Sequence, residues 1–243
     1  MSFVRTLAIA KRIFSQIRHD RRSVALIIGA PIMVMTLVGL SLYEQKEVLD
    51  QVAPALIATF AFFFSFLLTG VSFLRERAQG TLERLLVSPV GRGDILVGYL
   101  IGFLIFAWLQ SLLIMLYTIF VLQIDYQGSL WQVFVLLLAL TVGSVSLGIF
   151  VSTFARNEFQ VVQFIPLVLA PQVFLSGVIV RVEQLPGYLR VVSDILPLTY
   201  AVRGMQGIMV LGQNLGDVML ELSALVVFAV VMMGLALLTV RKT

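Results

Sequence analysis

Six long stretches of this chain keep charged side chains out of their interiors, and nothing else constrains its fold as much. They run over residues 23–43, 52–74, 95–122, 130–154, 161–180 and 219–240, with Glu221 at the edge of the last as the one exception. A helix crossing about 30 Å of hydrocarbon needs roughly 20 mostly apolar residues, and each stretch has that length. Backbone facing lipid must satisfy its own hydrogen bonds, which leaves helices or a closed barrel. The apolar runs are continuous and do not alternate, so barrel strands are excluded. Composition agrees: 60% of the 243 residues are hydrophobic and only 12% are charged. Soluble domains average about 45–50% and about 25%. A chain of this size cannot hide so much apolar side chain in a soluble fold, and it has too much to remain disordered. The expectation is an all-α integral membrane protein with six transmembrane helices.

Lys and Arg set the orientation. With the N-terminus placed in the cytoplasm, the inner segments hold thirteen of the 17 basic residues and five of the 13 acidic ones. The inner side then nets +8 and the outer side −4. Both termini are therefore expected in the cytoplasm, in the plasma or inner membrane. The pI near 9.7 does not argue for a nucleic-acid partner, because net charge is only +4 and the basic residues sit where a membrane topology puts them. Cysteine is absent, so there is no disulfide, no thiolate metal site and no Cys nucleophile. The first stretch reads as an uncleaved anchor, since Ser41-Leu42-Tyr43 is no cleavage site.

Four segments are not spans. Residues 1–22 form one unit, an amphipathic interfacial helix ahead of the membrane domain at 23–243. Its apolar stripe is Phe3, Leu7, Ala10, Phe14 and Ile17, with Arg5, Lys11, Arg12 and Arg18 off the stripe. Such a helix lies in the headgroup plane or packs on a soluble partner. His19 at its end reads as an interfacial residue. Residues 75–94 form the longest inner loop, with a short helix over Thr81-Leu82-Glu83-Arg84-Leu85-Leu86 closed off by Ser88-Pro89. Its leucines need something to bury against: either the membrane interface or a cytoplasmic partner. The second inner loop, Arg156-Asn157-Glu158, is a tight turn or a second contact point. On the outer side, residues 181–218 are too apolar for a solvated loop, yet the run 199–211 is about 20 Å of helix, too short to cross. Two short re-entrant helices covering the bundle interior are expected there, between spans five and six.

Much chemistry is missing from the sequence. It has no G-x-x-x-x-G-K-[ST], no H-E-x-x-H and no carboxylate pair within a span, so no catalytic, cofactor or metal residue is assigned. A proton- or ion-coupled carrier places an ionisable group at mid-membrane, and these spans have none. Neutral groups such as Gln110, Gln172 and Ser176, with Gly98-x-x-x-Gly102 and Ser144-x-x-x-Gly148, read as helix–helix contacts. Phe60, Phe63 and Phe64, together with Gln110, Gln172 and Ser176, are the candidates for a substrate path. The bland reading of the phenylalanines is that they face lipid.

The run Arg75-Glu76-Arg77-x-x-Gly80-Thr81-x-Glu83-Arg84-Leu85-Leu86-Val87-Ser88-Pro89 resembles the cytoplasmic loop of ABC-2-type transporter permeases. Phe174-Leu175-Ser176-Gly177, Leu185-Pro186, Leu196-Pro197-Leu198-Thr199-Tyr200 and Arg203 resemble that family's outer segment. The resemblance covers essentially the whole chain, departing at Pro186-Gly187-Tyr188, where many relatives carry a Trp nearby. It implies the membrane subunit of an ATP-driven exporter. Two permeases, identical or sister chains, would pair above two separate ATPase subunits that bind ATP and Mg. Gly80, Thr81, Leu82, Glu83, Arg84, Leu85, Ser88 and Pro89 would form the coupling helix and its flanks. Leu185, Pro186, Pro197, Tyr200 and Arg203 would belong to an outer gate. The uncharged spans favour an amphipathic or hydrophobic substrate such as a drug, antibiotic or lipid. The competing expectation is a membrane scaffold that recruits a cytoplasmic protein and transports nothing.

Overall fold

The computed structural model describes residues 2–87 and 90–240. Ser88, Pro89, Arg241 and Lys242 lie outside the described residues, as do the side chains of Glu83 and Glu158. Among the described residues there are helices and no strands. The helices are α1 (Phe3–His19), α2 (Arg21–Ser41), α3 (Lys46–Ala78), α4 (Thr81–Leu86), α5 (Arg92–Phe120), α6 (Leu130–Ser152), α7 (Glu158–Leu175), α8 (Gly187–Ser193), α9 (Pro197–Met209) and α10 (Met219–Val240). A single 3₁₀ turn, Val182–Gln184, precedes α8.

Among the described residues, four helical stretches are long and apolar enough to cross a membrane: Lys46–Ala78, Gly93–Phe120, Leu130–Ser152 and Met219–Thr239. Shorter apolar stretches, Ile27–Ser41 and Phe159–Leu175, lie in α2 and α7. The chain is thus a multi-pass membrane protein. The fifth run ends earlier than its hydropathy suggests, at Leu175, where Gly177 adopts a φ of +85° that continues no helix. Gly80, at φ +67°, likewise separates α3 from α4.

The core has two large parts and a small third cluster of Leu74, Ala155 and Val161. At the end remote from α4, buried residues of α3, α5, α6 and α9 interdigitate around Ile57, Phe62, Ile114, Leu136 and Met205. At the α4 end, Phe73, Ile95, Tyr99, Phe103 and Ile149 pack with Ile9, Ile13 and Ile17 of α1. Small residues let the helices meet closely, because lipid supplies no hydrophobic drive for association and contact area must do so. Gly148 of α6 lies against the backbone of α3 at Phe66 and Gly70, and Ser144 Oγ donates to the Phe62 carbonyl.

The face that α1 buries is rotated from the expected stripe. Ile9, Ala10, Ile13 and Ile17 are buried, whereas Phe3 is 79% and Leu7 53% exposed. The cause lies in α5. Gly98 and Gly102 leave a groove that Ile9 and Ile13 fill, so closely that a Cβ on either glycine would come within 2.8 Å of an isoleucine. Phe14, half-buried, stacks on Phe106 with ring centroids 5.0 Å apart. The amphipathic helix therefore packs on the chain's own α5 and leaves Phe3, Val4 and Leu7 outward.

Between α7 and α10, the proline-divided segment folds back on the bundle. Pro197 occupies the first turn of α9, where its missing N–H costs nothing. α9 is short, and most of it is buried against α3, α6 and α10. This covered helix is where the sequence placed the second of its short outer helices.

Candidate functional site

The α4 end holds two buried carboxylates, Glu76 and Asp94, and the first organises it. Glu76, on the last turns of α3, is 2% exposed. The Tyr99 hydroxyl donates to its Oε2 at 2.5 Å. Arg12 of α1 donates to the same carboxylate and to the Tyr99 hydroxyl at 2.9 Å, and its guanidinium sits 5.7 Å from the Tyr99 ring centroid. A buried carboxylate is tolerable only when paired and hydrogen-bonded in this way. Nearby, Asp94 is buried and accepts from the Ser2 backbone N–H at 3.0 Å. These contacts fasten α1 to both α3 and α5 directly above α4. From sequence, Arg12 stood only as a basic residue off the α1 stripe and Glu76 only as part of the family-like run, and Tyr99 was not singled out. The only local signal was Tyr99 standing between the two glycines that receive α1.

α4 itself is anchored inward. Leu82 is buried in the α1–α5 core and Leu85 packs against it. The apolar side of this helix thus finds its cover within the chain and does not wait for a partner. Its outward side shows Arg84, whose Nη2 donates to the Gln79 carbonyl at 3.0 Å, and Val87, 88% exposed. Thr81 is half-buried between the two sides.

The α6–α7 connection is a capped turn. Asn157 Oδ1 accepts from the Gln160 backbone N–H at 2.9 Å, and Gln160 Oε1 accepts from the Arg156 N–H at 2.7 Å. This reciprocal arrangement supplies acceptors that the first turn of α7 lacks. Asn157→Ala is expected to cost about 1 kcal/mol, read as a lowered melting temperature, with Asn157→Asp restoring most of it.

At the opposite end, Gln172 and Ser176 tie α7 to α9. Gln172 Oε1 accepts from the Leu198 N–H at 3.2 Å, capping α9, and Thr199 Oγ1 lies 3.1 Å from Ser176 Oγ and 2.7 Å from the Ser193 carbonyl oxygen. Both residues are buried, and their polar groups face the α7–α9 joint. Tyr200 donates to the Asp194 carbonyl at 2.7 Å, and Arg203 reaches the Asp194 carboxylate at 3.6 Å. Leu185 is buried and its carbonyl accepts from Arg190 Nε. The structure thus gathers Pro197, Tyr200 and Arg203 onto α9, with Leu185 and Pro186 flanking the start of α8. Beside them a recess of about 590 Å³ opens between the start of α3, the loop after α7 and α9, and Arg203 lines it.

The phenylalanines of α3 split by face. Phe62 and Phe66 are buried, whereas Phe60, Phe63 and Phe64 are half-buried and touch one another, with the Phe63 and Phe64 centroids 4.8 Å apart. Gln110 is buried, with neither end of its amide paired in the protein. It does not join the three half-buried phenylalanines on an open surface. Among the described residues no group of three or more His, Cys, Asp or Glu is placed to hold a metal.

Comparison with known proteins matches residues 4–210 to the model of the ABC-2 type transporter family. Similar proteins include the probable multidrug ABC transporter permease YbhS of Escherichia coli, 29% identical over 177 residues, which are 72% of this chain and 47% of that protein. The inner membrane transport permease YhhJ of the same species is 32% identical over 178 residues, again 72% and 47%. The linearmycin resistance permease protein LnrN of Bacillus subtilis is 25% identical over 170 residues, 70% of this chain and 44% of that one. The chain spans about half the length of these relatives. The matched segment takes in α1, the Arg12–Glu76–Tyr99 lock, α4 and all but the last residues of the outer segment, and on that evidence the chain belongs to the ABC-2 type transporter family of membrane permeases.

Proposed function

We propose that this chain forms the translocation path of an ATP-driven exporter, with ATP and Mg bound by a separate ATP-binding-cassette subunit. The supporting observation is membership of the permease family in a chain whose sequence has no nucleotide-binding loop. All six apolar helices cross, α2 and α7 included, and both termini face the cytoplasm with α4. Two permeases, copies or sister chains, pair above two ATPase subunits.

The outward side of α4, with Arg84 and Val87, is the coupling surface, and Leu82 and Leu85 transmit its motion by being packed in the core. The Arg12–Glu76–Tyr99 lock makes α1, α3 and α5 move as one body, and the turn at Arg156, Asn157 and Glu158 lies at the same end of the bundle. α8 and α9, with Pro186, Pro197, Tyr200 and Arg203, form the outer gate. Phe60, Phe63 and Phe64 line the path between two permeases. The uncharged spans and the relatives' multidrug and antibiotic-resistance names support an amphipathic or hydrophobic cargo.

The chain has no native cysteine, so topology is directly testable. Cysteines at Ser2 and Val87 are expected to label from one side of sealed vesicles, and one at Tyr188 from the other. Labelling of Val87→Cys and Tyr188→Cys from the same side would overturn the arrangement. Proteoliposomes holding the permease and its ATPase are expected to move at least one member of an amphiphile panel only when ATP is present.

A further inference from the structure

Where the end of α3 meets the α6–α7 turn, a pocket of about 420 Å³ is lined by Leu74, Arg77, Thr153, Phe154 and Arg156, with small alanines completing the wall. Among the described residues that line it none is acidic, and two are arginines. Arg77 is held in place because its Nη1 donates to the Ser152 carbonyl at 2.9 Å, and among the described residues no other group engages the rest of its guanidinium. Arg156 is exposed, and its side chain has no hydrogen-bond or ion-pair partner among the described residues. Glu76, next to Arg77 in sequence, is committed to Arg12 and Tyr99. Among the described residues, then, nothing in the wall of the pocket neutralises its two guanidiniums.

Its rim is apolar. Phe154 is 60% exposed, and Phe159 and Val162, on the opening turns of α7, are 69% and 47% exposed. Guanidinium groups match the geometry of phosphate oxygens and hold them by charge-assisted hydrogen bonds. Basic pockets between helices on the cytoplasmic side of a membrane bind anionic headgroups. A free phosphate would use only the arginines, whereas a phospholipid uses both the arginines and the apolar strip beside them.

We propose that this pocket binds the phosphate headgroup of an anionic phospholipid, with an acyl chain lying over Phe154, Phe159 and Val162. The inner-leaflet position of the site rests on the topology proposed above. The binding itself does not, so a failed lipid measurement and a failed labelling experiment are distinguishable.

Native mass spectrometry of the intact detergent-solubilised chain, titrated with phosphatidylglycerol or phosphatidylcholine, tests the site. Arg156→Ala, at an exposed position, is expected to weaken phosphatidylglycerol retention about tenfold or more, leave phosphatidylcholine retention unchanged and leave the melting temperature unchanged. Arg156→Lys is expected to retain part of the preference, and Arg181→Ala, at the opposite end, to retain all of it. Unchanged phosphatidylglycerol retention in Arg156→Ala would overturn the proposal. Displacement of the lipid by millimolar inorganic phosphate would reduce the site to a phosphate site and overturn the acyl part. Loss of ATPase co-purification with lipid retention intact would make the pocket a protein contact and also overturn it.

Discussion

Arg12→Ala is expected to cost about 3 kcal/mol of stability and to release α1 from the bundle. The figure is the low end of the range for stranding one member of a buried ion pair. The low end applies because the Arg12 side chain is 36% exposed while that of Glu76 is 3% exposed. After the substitution Glu76 keeps, among the described residues, only the Tyr99 hydroxyl as a partner. Tyr99→Phe, which removes one hydrogen bond to a charged group, is expected to cost less, about 1.5 kcal/mol or somewhat more. The pairwise origin is checked by adding Glu76→Gln to Arg12→Ala: neutralising the stranded carboxylate is expected to recover a large part of the loss. Melting in detergent followed by tryptophan fluorescence reads all three variants. Equal losses in Arg12→Ala and in the double variant would mean that packing of the Arg12 stem, and not charge, supplies the effect.

Gly148→Leu is expected to be at least as damaging. A Cβ there would stand 2.9 Å from the Phe66 carbonyl oxygen and 3.2 Å from the Gly70 nitrogen. Both are backbone atoms of a long helix and cannot rotate away. α3 and α6 would have to separate, breaking the Ser144 hydrogen bond to the Phe62 carbonyl. Overpacking usually costs about 1–3 kcal/mol, and a site walled by backbone belongs at or above the top of that range. Gly39 provides the contrast: the Cβ of Gly39→Ala would meet only the flexible tip of Leu122, and this change is expected to be tolerated. Folded yield by size-exclusion chromatography, with melting temperature, separates the two.

The local features of this architecture were legible because their causes are local. Uncharged runs announced the helices, Gly80 and Ser88-Pro89 bounded the short helix at 81–86, and a run too short to cross announced α9. Family resemblance was carried by contiguous residues around Gly80 and Thr81, and the family match agrees with it. Tertiary pairings were not legible. Arg12 and Glu76 are 64 positions apart, and no periodicity on either helix points to the other. The buried face of α1 was misjudged for the same reason: Phe3 and Leu7 make a stronger apolar stripe than Ile9 and Ile13, but only the latter match the glycine groove of α5. Leu82 read as needing cover from the membrane interface or a partner, because its actual cover, the α1–α5 core, comes from distant sequence. Gln172 and Ser176 read both as helix–helix contacts and as path candidates, and the partners they meet, in the region of α9, lie more than twenty positions on.

The most direct test of coupling through α4 is the ATPase rate of the permease reconstituted with its ATP-binding subunit in nanodiscs. The double variant Arg84→Glu, Val87→Asp changes only the outward side of α4. Reconstitution with unaltered permease is expected to raise the ATPase rate in response to a transported amphiphile. The double variant is expected to abolish that response while its melting temperature stays unchanged, whereas Leu82→Asp lowers the melting temperature itself. Full amphiphile-stimulated ATPase activity in the double variant, with the subunits still associated, would contradict the account.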